Sequence, residues 1–375
     1  MIRLYTNCFF ICIVINMLLL NACAEMESIE EKIAVELEQA EGAPVISVNP
    51  GFLPQDYEPL DKSGQELLQV SVINSHDHLY RMQDLPKYLE AASDMGITQT
   101  LFVASSYYTL MGENHEQNDG NLWNSEVLLE AARRYPGQIL PFVTLHPEDE
   151  DKISTLEHYR EEGALGLKLY TGHGNFYEHP LDASIMLPVY AWCEANEFPV
   201  CWHVNLTRYA NEFEAVLAQF PNLKVLLPHF GVTFYAPSGS AMRRLESLLD
   251  TYPNLYTDTS FGTRNILVNG MERVSREPEI FQAFYEKYQD RIVWGTDMVV
   301  TGNREKTREW IESVIRACRE MHEKEYYSFW MAAKGSPHSA GKQSHPYGVL
   351  RGLKLPEEIL IKIYNSNIRH FLGLD

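Results

Sequence analysis

The stretch "VINSHDHLYR", residues 72–81, places two histidines directly after an apolar, strand-forming run. Only Asp77 separates His76 from His78. Residues i and i+2 of a strand point to the same face, so both imidazoles can face one ion while the Asp77 side chain points off that face. The pair alone is weak evidence for a metal, because a polar turn at the end of a strand has the same composition. Any further ligands must come from the rest of the chain.

From residue 66 onward, short β-rich runs alternate with amphipathic helical stretches. The eight predicted strands are Val70–Asn74, Thr98–Ala104, Ile139–Leu145, Gly166–Tyr170, Val200–Val204, Val225–Pro228, Leu255–Asp258 and Ile292–Trp294. Parallel neighbours need a crossover connection, so this alternation predicts βαβ units and a parallel sheet. Eight such units predict an α/β fold closed as a (β/α)8 TIM barrel. A long helix over 305–330 and a final helix over 355–374 are predicted to follow.

Composition and charge narrow the class of ligand. The chain has 375 residues, within the range of a single barrel domain, and 45% of them are hydrophobic. Its formal charge of −20 opposes a nucleic-acid partner, which requires a basic surface. No glycine-rich phosphate-binding motif follows any predicted strand, which weakens a nucleotide-binding interpretation. We therefore expect a small-molecule ligand.

The first residues are typical of a targeting segment. "CFFICIVINMLLL", residues 8–20, is short for a membrane span but right for the core of a signal peptide. "LNAC", residues 20–23, then resembles the lipobox of bacterial lipoproteins. That resemblance implies lipidation of Cys23 and a protein anchored to a membrane of the cell envelope. The alternatives are an uncleaved anchor, or plain cleavage to a secreted or periplasmic protein.

The predicted organisation has three parts. They are a signal peptide over 1–22, an acidic, proline-containing tether or arm over 23–65, and the barrel over 66–375. The barrel keeps three cysteines, Cys193, Cys201 and Cys318, without CxxC spacing. This number and spacing indicate neither a disulfide framework nor a thiolate metal site, and we expect Cys193 and Cys201 to be ordinary buried residues.

Titratable side chains stand at the ends of five of the eight predicted strands, where barrels build their active sites. They are His76 and His78 after strand 1, Lys168 in strand 4, His203 in strand 5, His229 after strand 6 and Asp297 after strand 8. Imidazole and carboxylate suit a divalent ion of the zinc type, with iron or manganese as alternatives. Singly, each has an ordinary interpretation as a buried histidine, a snorkelling lysine or a helix N-cap. Together, in barrel order, they favour a metal site.

Such a site can activate water. His203 and Asp297 would complete the pair on the first strand and leave one position for water. A bound ion lowers the pKa of that water to about 7. Asp297, close to the ion, can orient the water and take its proton.

Six pieces of the chain resemble the amidohydrolase superfamily, in particular its amidohydrolase 2 branch of aminocarboxymuconate-semialdehyde-decarboxylase-like, metal-dependent hydrolases. Spanning residues 72–374, they are "INSHDHL", "GALGLKLY", "PVCWHVN", "FPNLKVLLPHFG", "IVWGTDM" and "NIRHFLGL". The resemblance implies a distorted (β/α)8 barrel. Its metal ligands fall on His76, His78, His203 and Asp297. His229 becomes an acid/base or an electrophile near the substrate, while Asn74, where the family often has Asp, is not a ligand.

Lys168 leaves the number of ions open. In the two-metal members of the superfamily, a lysine at the end of strand 4 is carboxylated by CO2 and bridges both ions. His203 and His229 would then hold the second ion. In the one-metal form, which the decarboxylase-like branch usually adopts, Lys168 is an ammonium for a substrate carboxylate or for structure. The resemblance therefore favours a single ion.

Several residues beside these strand ends are candidates for contacts with the substrate or with the ligands. Tyr170 and His173 follow Lys168, and Arg264 after strand 7 is the best candidate to bind an anionic group. Asp258 can support a ligand histidine from the end of strand 7. The long loop "SSYYTLMGENHEQNDGNLW", residues 105–123, either caps the pocket or is a surface excursion.

Three functions are consistent with the sequence. The first is a metal-dependent hydrolase that cleaves a small amide, lactone or ester-like bond. The second is a lyase on the same barrel, a metal-dependent decarboxylase or hydratase, which would use the same ligands. The third is a binding lipoprotein without catalysis, which the intact ligand set disfavours.

Overall fold

The computed structural model describes residues 66–105, 122–174, 176–232, 240–262, 264–339 and 344–374. Three predictions lie wholly or mostly outside these residues: the signal peptide, the tether with Cys23, and the loop that begins at Ser105. The parts of the chain that are described contain no helix long and apolar enough to cross a membrane.

Nine parallel strands form the central sheet. They are β1 (Val72–Leu79), β2 (Ile97–Val103), β3 (Ile139–Thr144), β4 (Gly166–Gly172), β5 (Val200–Val204), β6 (Val225–Leu227), β7 (Leu255–Asp258), β8 (Ile292–Val293) and β9 (Met298–Val300). Their order is β8-β7-β6-β5-β4-β3-β2-β1-β9, so consecutive strands are neighbours from β1 to β8. A separate antiparallel pair comprises β10 (Tyr326–Ser328) and β11 (Val349–Arg351).

Helices follow most of the strands and supply the crossovers that parallel pairing requires. They are α1 (Leu85–Asp94), α2 (Leu122–Arg134), α3 (Lys152–Glu161), α4 (Leu187–Ala195), α5 (Leu206–Gln219), α6 (Ser240–Thr251), α7 (Asn265–Arg276), α8 (Pro278–Lys287) and α9 (Arg308–Glu323). The chain ends with α10 (Glu357–Ile361), a π-helical turn (Lys362–Ser366) and α11 (Asn367–Leu372). Local sequence explains several helix starts: the Asn205 side chain caps α5 and Thr307 caps α9.

All eight predicted strands are present, with two differences in the sheet. β1 continues to Leu79 rather than ending at Asn74, because its last residues pair with β9. The sequence analysis did not predict β9, which is only three residues long. His76 and His78 therefore lie inside the first strand and not behind it.

The long helix predicted over 305–330 is wrong at both ends. The helix α9 begins at Arg308, after its Thr307 cap, and ends at Glu323. Beyond it, Tyr326–Ser328 leave the helix to pair with Val349–Arg351 as β10 and β11. The final helix is confirmed over Glu357–Leu372, interrupted by its π-helical turn.

Side chains from strands across the sheet meet in one apolar cluster. Its buried members are Ile73, Leu101, Val103, Leu140, Phe142, Cys201, Leu226, Tyr256, Val293, Ile368 and Phe371. Residues of β1, β7 and β8 belong to this one cluster, although these strands are far apart in the order of the sheet. The sheet must therefore be curled. The residues of α11 fill the cluster on one side, which explains why the last helix is apolar on one face.

Backbone hydrogen bonds also join β1 to the chain between β8 and β9. The Ser75 N–H donates to the Trp294 carbonyl over 2.9 Å, and the Asp297 N–H donates to the His76 carbonyl over 2.7 Å. These bonds join the segment between β8 and β9 to the first strand. They place Asp297 directly beside the two histidines of β1.

Candidate metal centre

The predicted site residues gather at the carboxyl ends of the parallel strands. His76 and His78 lie in β1 and Lys168 in β4, with His203 in β5. His229 follows β6 after one residue, and Asp297 lies between β8 and β9, directly before β9. Since the strands are parallel, their carboxyl ends share one edge of the sheet, which we call the rim.

Three imidazoles surround the carboxylate of Asp297. Nε2 of His78 lies 3.0 Å and Nε2 of His76 3.4 Å from Oδ1 of Asp297. Nε2 of His229 lies 3.6 Å from Oδ2. One atom each from His76, His229 and Asp297 fall within 4.8 Å of one another, close enough to hold a metal ion. The donors are nitrogen and carboxylate oxygen, the set that zinc and similar divalent ions take.

The other ring nitrogen of each imidazole has a partner of its own. Nδ1 of His76 lies 2.7 Å from Asp258 Oδ2, and Nδ1 of His78 lies 2.9 Å from Ser105 Oγ. Asp258 only accepts, so Nδ1 of His76 carries the hydrogen and its Nε2 the lone pair. The Ser105 hydroxyl, by contrast, can donate to Nδ1 of His78 and leave Nε2–H to bond Asp297. The sequence analysis expected Asp258 to support a histidine, and the structure confirms this contact.

His229 is oriented in the same way. Its Nδ1 lies 3.0 Å from the Ser260 carbonyl and 2.9 Å from Ser260 Oγ. Because a carbonyl only accepts, Nδ1 carries the hydrogen and Nε2 the lone pair. The backbone N–H of His229 also donates to Asp258 Oδ1 over 2.9 Å, so one carboxylate supports two of the three imidazoles.

Burial sets the charge of these groups. It lowers the pKa of His76, His78 and His229, and the nearby Lys168 ammonium adds to the effect on His76. The imidazoles are therefore neutral at pH 7, as metal binding requires. Burial alone would raise the pKa of Asp297, but His76 and the hydrogen bond from His78 outweigh it and hold that pKa well below its usual range. The centre thus combines neutral imidazoles with an ionised carboxylate.

His203 lies beside this group rather than among its closest atoms. Its ring centroid is 5.0 Å from that of His229 and 4.5 Å from that of His173. Phe176 stacks on the far side of His173 at 4.5 Å. Burial, followed by the charge of His173, lowers the pKa of His203 well below its usual value. His173, expected to contact the substrate or the ligands, packs its ring against that of His203.

The Lys168 side chain contacts the centre at His76. It is 1% exposed, and its Nζ lies 3.3 Å from His76 Nε2 and 3.6 Å from Cys201 Sγ. Nζ is also 5.1 Å from the centroid of the Tyr170 ring, whose hydroxyl donates to the Ala104 carbonyl over 2.8 Å. The Tyr170 ring therefore lies against the lysine, and its hydroxyl donates to the residue that follows β2.

Arg264 is exposed at the start of α7, with a positive φ of 59°. Sequence analysis missed its neighbour Lys306, which precedes α9. Burial lowers the pKa of Lys306 to about 8, and the charges of Arg264 and Lys87 act in the same direction. In the opposite direction, Asp297 raises it, so the lysine lies within electrostatic reach of the centre. Lys306 could not be recognised from the sequence as a residue near the site, because it lies in the stretch 305–330 that was predicted to be a helix.

Backbone strain is concentrated at the rim. Asp297 has φ of 53°, and the turn after β6 holds His229, Phe230 and Val232 at φ between 52° and 60°. Each non-glycine residue in this region costs on the order of 1–3 kcal/mol. Such conformations persist only where surrounding contacts impose them. The two strained segments carry two residues of the centre, His229 and Asp297.

Fold and donor set together define an α/β protein with a metal-type centre at the rim of a parallel sheet. A family model described as amidohydrolase matches residues 73–374. The chain belongs to this amidohydrolase family. It is therefore an enzyme of the metal-dependent hydrolase and lyase type.

Solved structures share the fold at low sequence identity. A candidate 2-pyrone-4,6-dicarboxylic acid hydrolase from Pseudomonas putida is 15% identical, with TM-score 0.55, over 82% of this chain and 99% of that one. An uncharacterized TIM-barrel protein from Bordetella bronchiseptica is 15% identical, with TM-score 0.52, over 81% and 99%. An amidohydrolase with bound zinc from Burkholderia multivorans is 13% identical, with TM-score 0.50, over 81% and 99%. A search of curated proteins finds no significant match.

Proposed function

We propose that this enzyme is a hydrolase that cleaves a small amide, lactone or ester-like bond with one divalent ion, zinc. The ligands in this proposal are His76, His78, His203 and Asp297. The observation that carries it is the approach of the His76 and His78 Nε2 atoms to the Asp297 carboxylate, at 3.4 and 3.0 Å, with the His203 ring 5.0 Å from that of His229 beside them. The ion would supply Lewis-acid polarisation of the scissile carbonyl and activation of water.

The chain's own residues supply proton transfer. The Asp297 side chain is partly exposed, at 18%, so its carboxylate can contact water at the rim and take its proton. His229 is neutral and held through Nδ1 by Ser260, which leaves Nε2 to give or take a proton. We assign Asp297 the role of base and His229 that of acid/base beside the substrate.

Substrate contacts are proposed on two sides of the centre. The ring of Tyr170 borders the site beside Lys168, and Arg264 is exposed within electrostatic reach of Lys306, which in turn lies within reach of Asp297. These two basic side chains, in an enzyme with formal charge −20, favour an anionic group on the substrate. Tyr170 would contact the body of the substrate and Arg264 its anionic group.

The alternative of two ions requires a carboxylated Lys168 as a bridge. The position of its Nζ, 3.3 Å from His76 Nε2, is compatible with either state of the lysine. The Cys201 thiol lies 3.6 Å from the same Nζ atom, and the resemblance of the chain to the one-metal, decarboxylase-like branch favours a lysine that is not carboxylated. We therefore propose the single ion.

Two features of the whole chain belong to the same proposal. The strands β8 and β9 would be two halves of one barrel strand, broken at Asp297, which makes the sheet an eight-stranded (β/α)8 barrel. The segment 1–22 would be a signal peptide and Cys23 the lipidated first residue of a protein anchored in the cell envelope. Residues 23–65 would then tether the barrel of residues 66–375 to the membrane.

Metal analysis of the purified protein tests the centre. We expect one zinc per chain, retained in Lys168→Ala, and loss of activity on chelation that zinc restores. Two ions in the wild type, falling to one in Lys168→Ala, would replace the single ion by the bridged pair. A metal-free protein that is indifferent to chelators would remove the proposal.

Product analysis separates the reaction classes. A panel of small amides, lactones, esters and carboxylated aromatics is incubated with the zinc-loaded enzyme in water enriched in 18O. Hydrolysis places the label in the product acid. Release of CO2 without incorporation of label would instead identify the enzyme as a decarboxylase, with the same metal centre.

A further inference from the structure

The turn that carries Asp297 is hydrogen-bonded to β1 at three successive backbone amides. These bonds run from Thr296 N to Asn74 Oδ1 (3.2 Å), from Asp297 N to the His76 carbonyl (2.7 Å) and from Met298 N to Asp77 Oδ1 (2.7 Å). The first strand therefore holds the residue on each side of Asp297 as well as Asp297 itself. Two of these three acceptors are side chains, so the sequence of β1 determines them.

Asp77 has the central place among these side chains. Its residue is fully buried, and its Oδ1 also accepts from the Thr296 hydroxyl over 2.5 Å. Its other oxygen accepts from Asn74 Nδ2 over 2.7 Å. The Tyr88 hydroxyl of α1 also bonds Asp77; the other contacts are to the strand or to the turn, and none is to an imidazole of the centre. The carboxylate thus serves the backbone around Asp297 and not the ion.

This turn needs external support. Asp297 has a φ of 53°, which L-residues adopt only when surrounding contacts impose it. Its carboxylate must stay in register with His76 and His78, and ligand groups tolerate displacements of only about 0.5 Å. A buried carboxyl group is costly unless it is hydrogen-bonded, and the bonds from the Thr296 hydroxyl and the Met298 amide meet this need from the turn.

We propose that Asp77, acting with Thr296, is a positioning residue that fixes the Asp297 turn and so sets the affinity of the centre for its ion. The inference rests on the proposed role of Asp297 as a metal ligand.

Thr296→Val tests the role of this contact, because it removes the hydroxyl and preserves the shape of the side chain. Thr100→Val is the matched control: the Thr100 hydroxyl bonds Tyr88 OH over 3.0 Å, and Tyr88 in turn bonds Asn74 over 3.1 Å. It makes the same change in the same network, on the Tyr88 side of Asp77 and away from the turn. We expect the dissociation constant for zinc, measured against a chromophoric chelator, to rise about 10–100-fold in Thr296→Val and less than about twofold in Thr100→Val.

Two further variants separate positioning from loss of fold. Thr296→Ser keeps a hydroxyl and should restore most of the affinity. Asp77→Asn keeps one oxygen for the Met298 amide and should fall between the wild type and Thr296→Val. In cobalt-substituted protein, Thr296→Val should change the visible absorption of the ion, whereas Thr100→Val should not, even if both lower the melting temperature of the metal-free protein equally.

The outcomes distinguish this inference from the proposed function. A wild-type protein that binds neither zinc nor cobalt overturns both. If the wild type binds zinc and Thr296→Val and Asp77→Asn bind it as tightly, with unchanged cobalt spectra, the centre stands and the positioning role is overturned. Equal loss of affinity in Thr296→Val and Thr100→Val would also overturn it, because the effect would then follow general destabilisation.

Discussion

At the rim of the sheet, imidazoles and carboxylates are buried in mutual contact, whereas the apolar cluster beside α11 contains almost no polar atom. The rim holds ligand atoms of His76, His229 and Asp297 within 4.8 Å of one another, and both histidines are hydrogen-bonded to buried partners. The cluster packs side chains such as Phe142 and Phe371 that are at most 1% exposed. One residue, Cys201, belongs to the cluster and also touches Lys168 of the rim.

The two regions contribute to the free energy of folding with opposite sign. Fully burying an apolar side chain stabilises the fold by about 1.5–3 kcal/mol. Strained backbone at Asp297 and in the turn after β6 costs about 1–3 kcal/mol per residue. Imidazoles that are kept buried and neutral also destabilise the fold at pH values where the unfolded chain would protonate them. The difference indicates that the cluster stabilises the fold while the rim is built for chemistry, and substitutions should separate the two.

Asp297→Asn should produce the largest effect on activity and almost none on the fold. The amide is a weaker ligand and cannot take a proton, so kcat/KM should fall by about 10³-fold or more. The free energy of unfolding of the metal-free protein should change little, because Asn preserves the size of the side chain. Steady-state kinetics and urea denaturation measure the two quantities.

The matched control is Asp290→Asn, at an exposed carboxylate that pairs with Lys362 over 2.7 Å. It makes the same chemical change on the surface, where single ion pairs contribute about 0–1 kcal/mol. We expect wild-type kinetics. Activity within tenfold of the wild type in Asp297→Asn would mean that the rim does not act through this carboxylate.

Sequence reasoning predicted the strands well because their apolar runs are local signals. It placed all eight and missed β9, whose three residues are a strand only because β1 is beside them. It also ended β1 too early, at Asn74, because His76, Asp77 and His78 look like a polar turn when their partners are unknown. Burial of a polar strand segment depends on tertiary contacts, which no short window of sequence contains.

Phe371→Ala tests the other region. Phe371 is 1% exposed and its ring centroid lies 5.1 Å from that of Tyr256. Removing the ring should lower the free energy of unfolding by about 3–5 kcal/mol, through lost burial and the cavity left behind. Values of kcat and KM per folded molecule should stay near wild type at temperatures where the variant is folded.

Ile361→Ala is the control for that substitution. Ile361 is 40% exposed at the end of α10, so its truncation should cost well under the Phe371 value. A loss of kcat in Phe371→Ala without a loss of stability would contradict the division between the regions. It would show that α11 transmits its packing to the rim.

Candidate ligands were predictable as residue types at strand ends, but the partners that orient them were only partly so. Asp258 follows a strand and was expected to support a histidine, which its contact with His76 confirms. Ser105 and Ser260 were not expected, since serine carries no signal for this role. Their functions follow from where the fold brings their side chains, within 3.0 Å of a ring nitrogen.

His322 provides the test with the smallest expected effect. It is a buried neutral histidine whose hydrogen bonds lie outside the rim. Its Nδ1 donates to the Cys318 carbonyl over 2.7 Å, and its Nε2 accepts from Tyr285 OH over 2.8 Å. Burial lowers its pKa to about 4, against 6.5 in an unfolded chain. The unfolded state therefore binds more protons between these values, so the stabilising effect is complete above about pH 6.5 and declines as the pH falls toward 4.

Replacing His322 by Phe should make the pH dependence of stability shallower in that window. Urea denaturation of the metal-free protein at about pH 7.5 and about pH 5 measures it, and the difference between the two should be smaller in the variant. A remaining slope is expected, because burial also lowers the pKa of His173 and His345 to about 4. His158→Gln, at an exposed position of α3, should keep the wild-type slope. If His322→Phe keeps it too, the acid sensitivity of the fold arises at the rim and not in the helices around it.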